Sequence, residues 1–125
     1  MSRDKIIHRD LSYKVVGLAM EVHRKLGYGF LEKVYENALM VLFRREAIDA
    51  KQQIAIRVFF DGADVGYYLA DILVASKVVI EVKAVEGLVD AHRAQTLNYL
   101  KASGLDLAIL LNFGTDRLQY ERLVN

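Results

Sequence analysis

The chain has 125 residues, is 54% hydrophobic and 26% charged, and contains no run of about 18 uninterrupted apolar residues, so a soluble globular fold with no membrane span is expected. It has no cysteine, which excludes disulfides and thiolate metal sites and leaves carboxylate, imidazole, carbonyl or water to hold any divalent cation. Seventeen basic against sixteen acidic residues give a formal net charge of +1, too little for a long-range pull on a polyanion, so nucleic-acid binding cannot be argued from charge.

A chain of this length is expected to build one core, and one domain over residues 1–125 is the reading, with the core over about 11–123. The start, Met1-Ser2-Arg3-Asp4-Lys5-Ile6-Ile7-His8, lacks the apolar core and cleavage site of a secretory signal, so a cytoplasmic location is expected. Residues 1–10 read as a polar lead-in. Leu11, Val15, Leu18, Ala19, Val22 and Leu26 then recur at helical spacing, with Asp10 as the cap and Gly27 as the stop. After the glycine turn Gly27-Tyr28-Gly29, a second apolar stripe runs through Leu31, Val34, Tyr35, Ala38, Leu39, Leu42 and Phe43.

From Gln52 the period changes to two, with Ile54, Ile56 and Val58 alternating as on a strand. Asp61-Gly62 is a hairpin turn, and a return strand runs from Val65 toward Val74. Ala75-Ser76-Lys77 turns the chain again into Val78-Val79-Ile80-Glu81-Val82-Lys83, a β-branched third strand. Leu88 to Ala102 returns to helical spacing and stops at Gly104. Leu107 to Leu111 is an apolar run suited to a buried strand, and Leu118 to Leu123 adds an edge strand. This order, two helices, a three-strand meander, a crossover helix and two strands, predicts an α/β fold: a mixed sheet with helices packed on it.

Alternation puts Glu81 and Lys83 on one face of an otherwise apolar strand, where two charges need a partner or a purpose. Asp71, on the preceding strand, supplies a candidate: if the two strands pair around Ala75–Lys77, both carboxylates become neighbours. Two carboxylates without thiolates suit Mg²⁺ or Mn²⁺, and Lys83 beside them could orient a water attacking phosphorus or offset developing negative charge. The chemistry implied is phosphodiester hydrolysis. The same three residues could also be a surface ion-pair cluster, worth about 0–1 kcal/mol.

Asp71, nine residues, then Glu81-Val82-Lys83 resembles the signature of the PD-(D/E)XK nuclease superfamily, with Ala70 where its name has proline. Gly29-Phe30-Leu31-Glu32-Lys33-Val34-Tyr35 resembles the motif that names the GxxExxY protein family, and the resemblance runs over roughly residues 11–123. Further matching pieces are Tyr68-Leu69-Ala70-Asp71, Glu81-Val82-Lys83-Ala84-Val85, Gln95-Thr96-Leu97-Asn98-Tyr99-Leu100 and Leu111-Asn112-Phe113-Gly114. The resemblance implies a restriction-endonuclease-like core in which Asp71 and Glu81 bind metal and Lys83 is the catalytic lysine. It also implies a helical glutamate, Glu32, in the metal shell, and Gln95 with Tyr99 at the site, on one face of the helix after the lysine strand.

Glu32 would equally suit a first helical turn for dipole reasons, and Tyr35 falls on the apolar stripe as core packing with its hydroxyl bonded at the edge. His23 and His92 read as satisfied histidines, and Arg44, Arg45 and Lys51 as solvated surface. The leading expectation is a Mg²⁺-dependent nuclease acting on nucleic acid. Its alternative is a non-catalytic nucleic-acid-binding or protein-interaction module that keeps the fold, because so small a chain leaves little surface to grip a duplex. A homo-oligomer is a further expectation, built on Tyr67 and Tyr68 as exposed aromatics or on the first helix.

Overall fold

The computed structural model describes residues 7–125. Of the polar lead-in expected over residues 1–10, residues 1–6, which include most of the signal-free start, lie outside the described residues. Helix α1 spans Arg9–Leu26 and α2 Glu32–Arg45; strands β1 (Ala50–Phe60), β2 (Ala63–Val74) and β3 (Val78–Lys83) follow, then helix α3 (Asp90–Ser103) and strands β4 (Leu107–Asn112) and β5 (Gln119–Val124). The sheet order is the chain order, β1-β2-β3-β4-β5. All pairs are antiparallel except β3 and β4, which run parallel because α3 carries the chain back across the sheet. This is the mixed α/β sheet of a restriction-endonuclease-like core.

The ends of the elements differ slightly from the sequence expectation. Helix α1 takes in Arg9 and Asp10, so Asp10 is a first-turn residue and His8, in a left-handed conformation, holds the cap position with no side-chain hydrogen bond. Gly27 ends this helix as expected, and Gly104 ends α3 with φ 73°, a region open to a residue without a Cβ. Helix α3 starts at Asp90 instead of Leu88. At its entry the Val89 N–H donates to His92 Nδ1 at 3.1 Å, which occupies that histidine in a cap.

The two faces of the sheet are covered unequally. Val15, Val22, Leu39 and Phe43 from α1 and α2 pack with Ile72, Ile80, Val82, Ile109 and Leu111 in the main core. A smaller cluster on the other face joins Leu100 of α3 to Ala70, Val79 and Ala108. Strand β4 is buried at every position because both layers cover it, which is why its sequence reads as a continuous apolar run. The first strands extend past these helices: Phe59, Phe60, Val65 and Tyr67 near the Asp61-Gly62 turn are all exposed. Tyr68 is not. It is half-buried, its ring stacked on Tyr99 and its hydroxyl donating to the Tyr99 carbonyl at 2.8 Å, because it lies on the side of the hairpin that faces α3. Of the two aromatics expected at an exposed oligomer surface, only Tyr67 is exposed.

Candidate functional site

The β2–β3 ladder is paired at Val74↔Val78, Leu73↔Val79 and Ile72↔Ile80, and there it stops. The next facing positions are Asp71 and Glu81, and their side chains take over from the backbone. Val82 N–H donates to Asp71 Oδ2 at 2.8 Å, and Asp71 N–H donates to Glu81 Oε2 at 3.3 Å. Two strands that part inside a protein would leave orphaned amides; here each carboxylate satisfies one. The structure thus brings Asp71 and Glu81 together as expected from a hairpin around Ala75–Lys77.

Glu81 is only 5% exposed, sharing its face of β3 with Val79 and Lys83. Burial, and then the neighbouring Asp71 charge, push its carboxyl up to about 8. Asp71 is also held above the usual carboxylate range, first by burial; the Val82 hydrogen bond opposes this, while the charges of Glu36 and Glu32 add to it. Each carboxylate keeps one oxygen, Asp71 Oδ1 and Glu81 Oε1, with no hydrogen bond among the described residues. Such a pair of oxygen-only acceptors, Glu81 buried and Asp71 half-buried, fits a hard divalent cation, which also keeps waters of its own.

Lys83 lies two residues on, its Nζ donating to Gln95 Oε1 of α3 at 3.4 Å. Tyr99, one turn further along that helix, has its hydroxyl pKa raised by burial and then by the Glu81 and Asp71 charges. The four positions Asp71, Glu81, Lys83 and Gln95 therefore converge at one end of β3. Glu32 does not join them in contact. It is exposed at the first position of α2, with its charge felt at both carboxylates. Among the described residues no three His, Asp or Glu groups come close enough to hold a metal ion by themselves.

Sequence reasoning passed over Glu36. It is 3% exposed and accepts from Gln52 Nε2 at 2.7 Å, from Gln53 Nε2 at 3.1 Å and from Lys33 Nζ at 3.2 Å. The signal was present, because Glu36 stands three and seven residues before Leu39 and Phe43, on the stripe that faces the core. Asn112 was passed over too. Fully buried at the end of β4, it accepts from Val85 N–H at 2.9 Å and donates to the Val85 carbonyl at 3.1 Å, fixing the chain as it leaves Lys83. Tyr35 behaves as expected: buried against Phe113 with ring centroids 4.6 Å apart, its hydroxyl donates to the Gly27 carbonyl at 2.6 Å. His23 is satisfied by the Thr115 carbonyl, and Arg45 is tied to Glu21 and Glu46 on the surface.

The sequence model described as the PD-(D/E)XK nuclease superfamily matches residues 9–123. No curated protein matches the chain at a significant level. Among solved structures, the crystal structure of SSO0001 is similar with a TM-score of 0.59 at 18% identity, over 75% of this chain and 50% of that one. The chain spans about half the length of that protein, and the likeness shows the fold alone.

Proposed function

Because the chain belongs to the PD-(D/E)XK nuclease superfamily, we propose that it is a metal-dependent nuclease that hydrolyses phosphodiester bonds of nucleic acid. The observation that carries this reading is the Asp71–Glu81 pair at the parting of β2 and β3, a half-buried and a buried carboxylate, each with an oxygen to spare and Lys83 beside them. Mg²⁺ or Mn²⁺ held by Asp71 and Glu81 would supply Lewis-acid polarisation and a water of lowered pKa. Lys83 offers its ammonium to the charge that builds on the phosphoryl oxygens, and Gln95 holds that ammonium in place. Glu32, whose charge is felt at both carboxylates from the first turn of α2, would add to the negative field that attracts the cation. The GxxExxY motif around Glu32 supports this role, as it supports membership of that narrower family.

One observation favours a second reading. With Glu32 exposed and no three-ligand group formed among the described residues, the chain would also serve as a non-catalytic module that binds nucleic acid or protein. Calorimetric titration of Mg²⁺ and Mn²⁺ into the protein and into Glu81→Ala, followed by cleavage assays on single strands and duplexes, separates the two. Binding lost in the variant, together with cleavage, is the expected result. Cleavage that persists in Asp71→Ala or Glu81→Ala overturns the nuclease reading, and absence of metal binding to either protein favours the module. The exposed apolar hairpin tip supports association of two copies, which would let two such sites address two strands.

A further inference from the structure

Strand β1 contains a residue whose backbone does not belong in a strand. Gln53 has φ 54°, the left-handed region, which a residue with a Cβ occupies only when something holds it there. The β1–β2 ladder pairs Gln52 with Ile72 and Ile54 with Ala70, so the position left unpaired opposite Gln53 is Asp71. The alternation of faces breaks at the same point. Leu73 and Ala70, three residues apart, both pack on the α3 side, where a regular strand would put them on opposite faces. Asp71 therefore sits at a bend shared by β1 and β2, free of ladder partners on both sides, and this bend lets β2 part from β3.

What holds the bend is on α2. The Gln53 side chain donates to both oxygens of Glu36, at 3.2 and 3.1 Å, and its neighbour Gln52 donates to the same carboxylate. Neither glutamine has a backbone preference for the left-handed region, and a buried carboxylate demands donors, so each explains the other. We infer that Glu36 is a positioning residue for the candidate site: by anchoring Gln53 in a left-handed conformation it bends the β1–β2 hairpin and aims the Asp71 carboxylate at Val82 and Glu81. The inference rests on the nuclease reading only for its consequence in catalysis.

Amide hydrogen exchange by NMR tests it without substrate or metal. The reporter is the Val82 amide, which is bonded to Asp71 Oδ2 and to no ladder partner on β2. In Glu36→Ala its exchange should rise at least about tenfold while the paired stretch Ile72–Val74 stays within about twofold, the mark of a local opening. The double variant Glu36→Ala with Gln53→Gly should restore protection, since glycine takes the left-handed conformation without an anchor. An unchanged Val82 amide, acceleration spread evenly over the ladder, or failure of glycine to restore it would overturn the inference. Should Glu36→Ala fail to fold, Gln53→Val gives the same test, because a branched Cβ resists the left-handed region; selective exposure of Val82 is expected, and an unchanged amide overturns the inference. Absence of cleavage in the parent protein would count against the nuclease reading and leave these exchange rates to be judged separately.

Discussion

Glu81 is a carboxyl that the folded chain would rather keep protonated. Its ordinary value near 4.5 is raised to about 8, so between those limits the folded state holds a proton that the unfolded state has lost. Stability from this group is complete below about 4.5 and falls as pH rises through about 8, by an amount on the order of a few kcal/mol. Urea melts of the metal-free protein at pH 5 and pH 9 should show that loss, and Glu81→Gln should flatten it. A cation bound there competes with the proton, so Mg²⁺ affinity is expected to climb with pH until about 8 and then level. Calorimetry in buffers of different ionisation heat would count the proton released. Glu81 and Lys83 were legible because charges on a β-branched strand conflict with their surroundings, and Asp71 because a hairpin around Ala75–Lys77 brings it beside Glu81. Glu36 was equally discordant on its helix but was masked by the neighbouring motif residues, and nothing in a glutamine announces the left-handed turn at Gln53.

The elements themselves were legible to within a residue or two, since each announces a period and most end on a glycine or a turn. Helix ends were less so, because His8 and Val89 cap through the backbone or through a neighbour and leave no residue-type signature. Tyr67 and Tyr68 were both expected to be exposed, but as neighbours on a strand they face opposite sides, and α3 covers the side of Tyr68. Alternation itself fails at the Gln53–Asp71 bend, so counting from either end of β2 assigns different faces, which no residue type there announces. The segment after β4 makes a sharper prediction. A Cβ at Gly114 would collide with the backbone of Ala84 and Val85, the stretch that follows Lys83. Gly114→Ala should therefore cost on the order of 1–3 kcal/mol in chemical denaturation. It should also weaken Asn112's hold on Val85, while Ile109→Ala at the centre of β4 should cost about 2–5 kcal/mol through a cavity alone.

For the molecule as a whole, composition and pattern foretold a mixed sheet with helices packed on it, but they could not tell how far the β1–β2 hairpin would outrun its cover. Phe59 and Phe60 near its turn are 63% and 69% exposed. Replacing both by serine should change stability by no more than about 0.5 kcal/mol per site, because neither packs in the core. If two copies associate through this tip, light scattering should show a mass above the 14.2 kDa of one chain for the parent and about that mass for the variant. The exposed apolar side chains Phe59, Phe60, Val65 and Tyr67 gather at this one tip, where a second copy would cover them.

The identity of sheet order and chain order has a kinetic corollary. Every strand pairs with its neighbour in sequence, and only the β3–β4 pairing must wait for a helix to form between its halves. Loop-closure costs are therefore modest, and the chain has neither proline nor cysteine to impose slow isomerisation or disulfide exchange. Stopped-flow refolding should follow a single phase much faster than the tens of seconds of prolyl isomerisation, so the protein would reach its native state soon after dilution from denaturant.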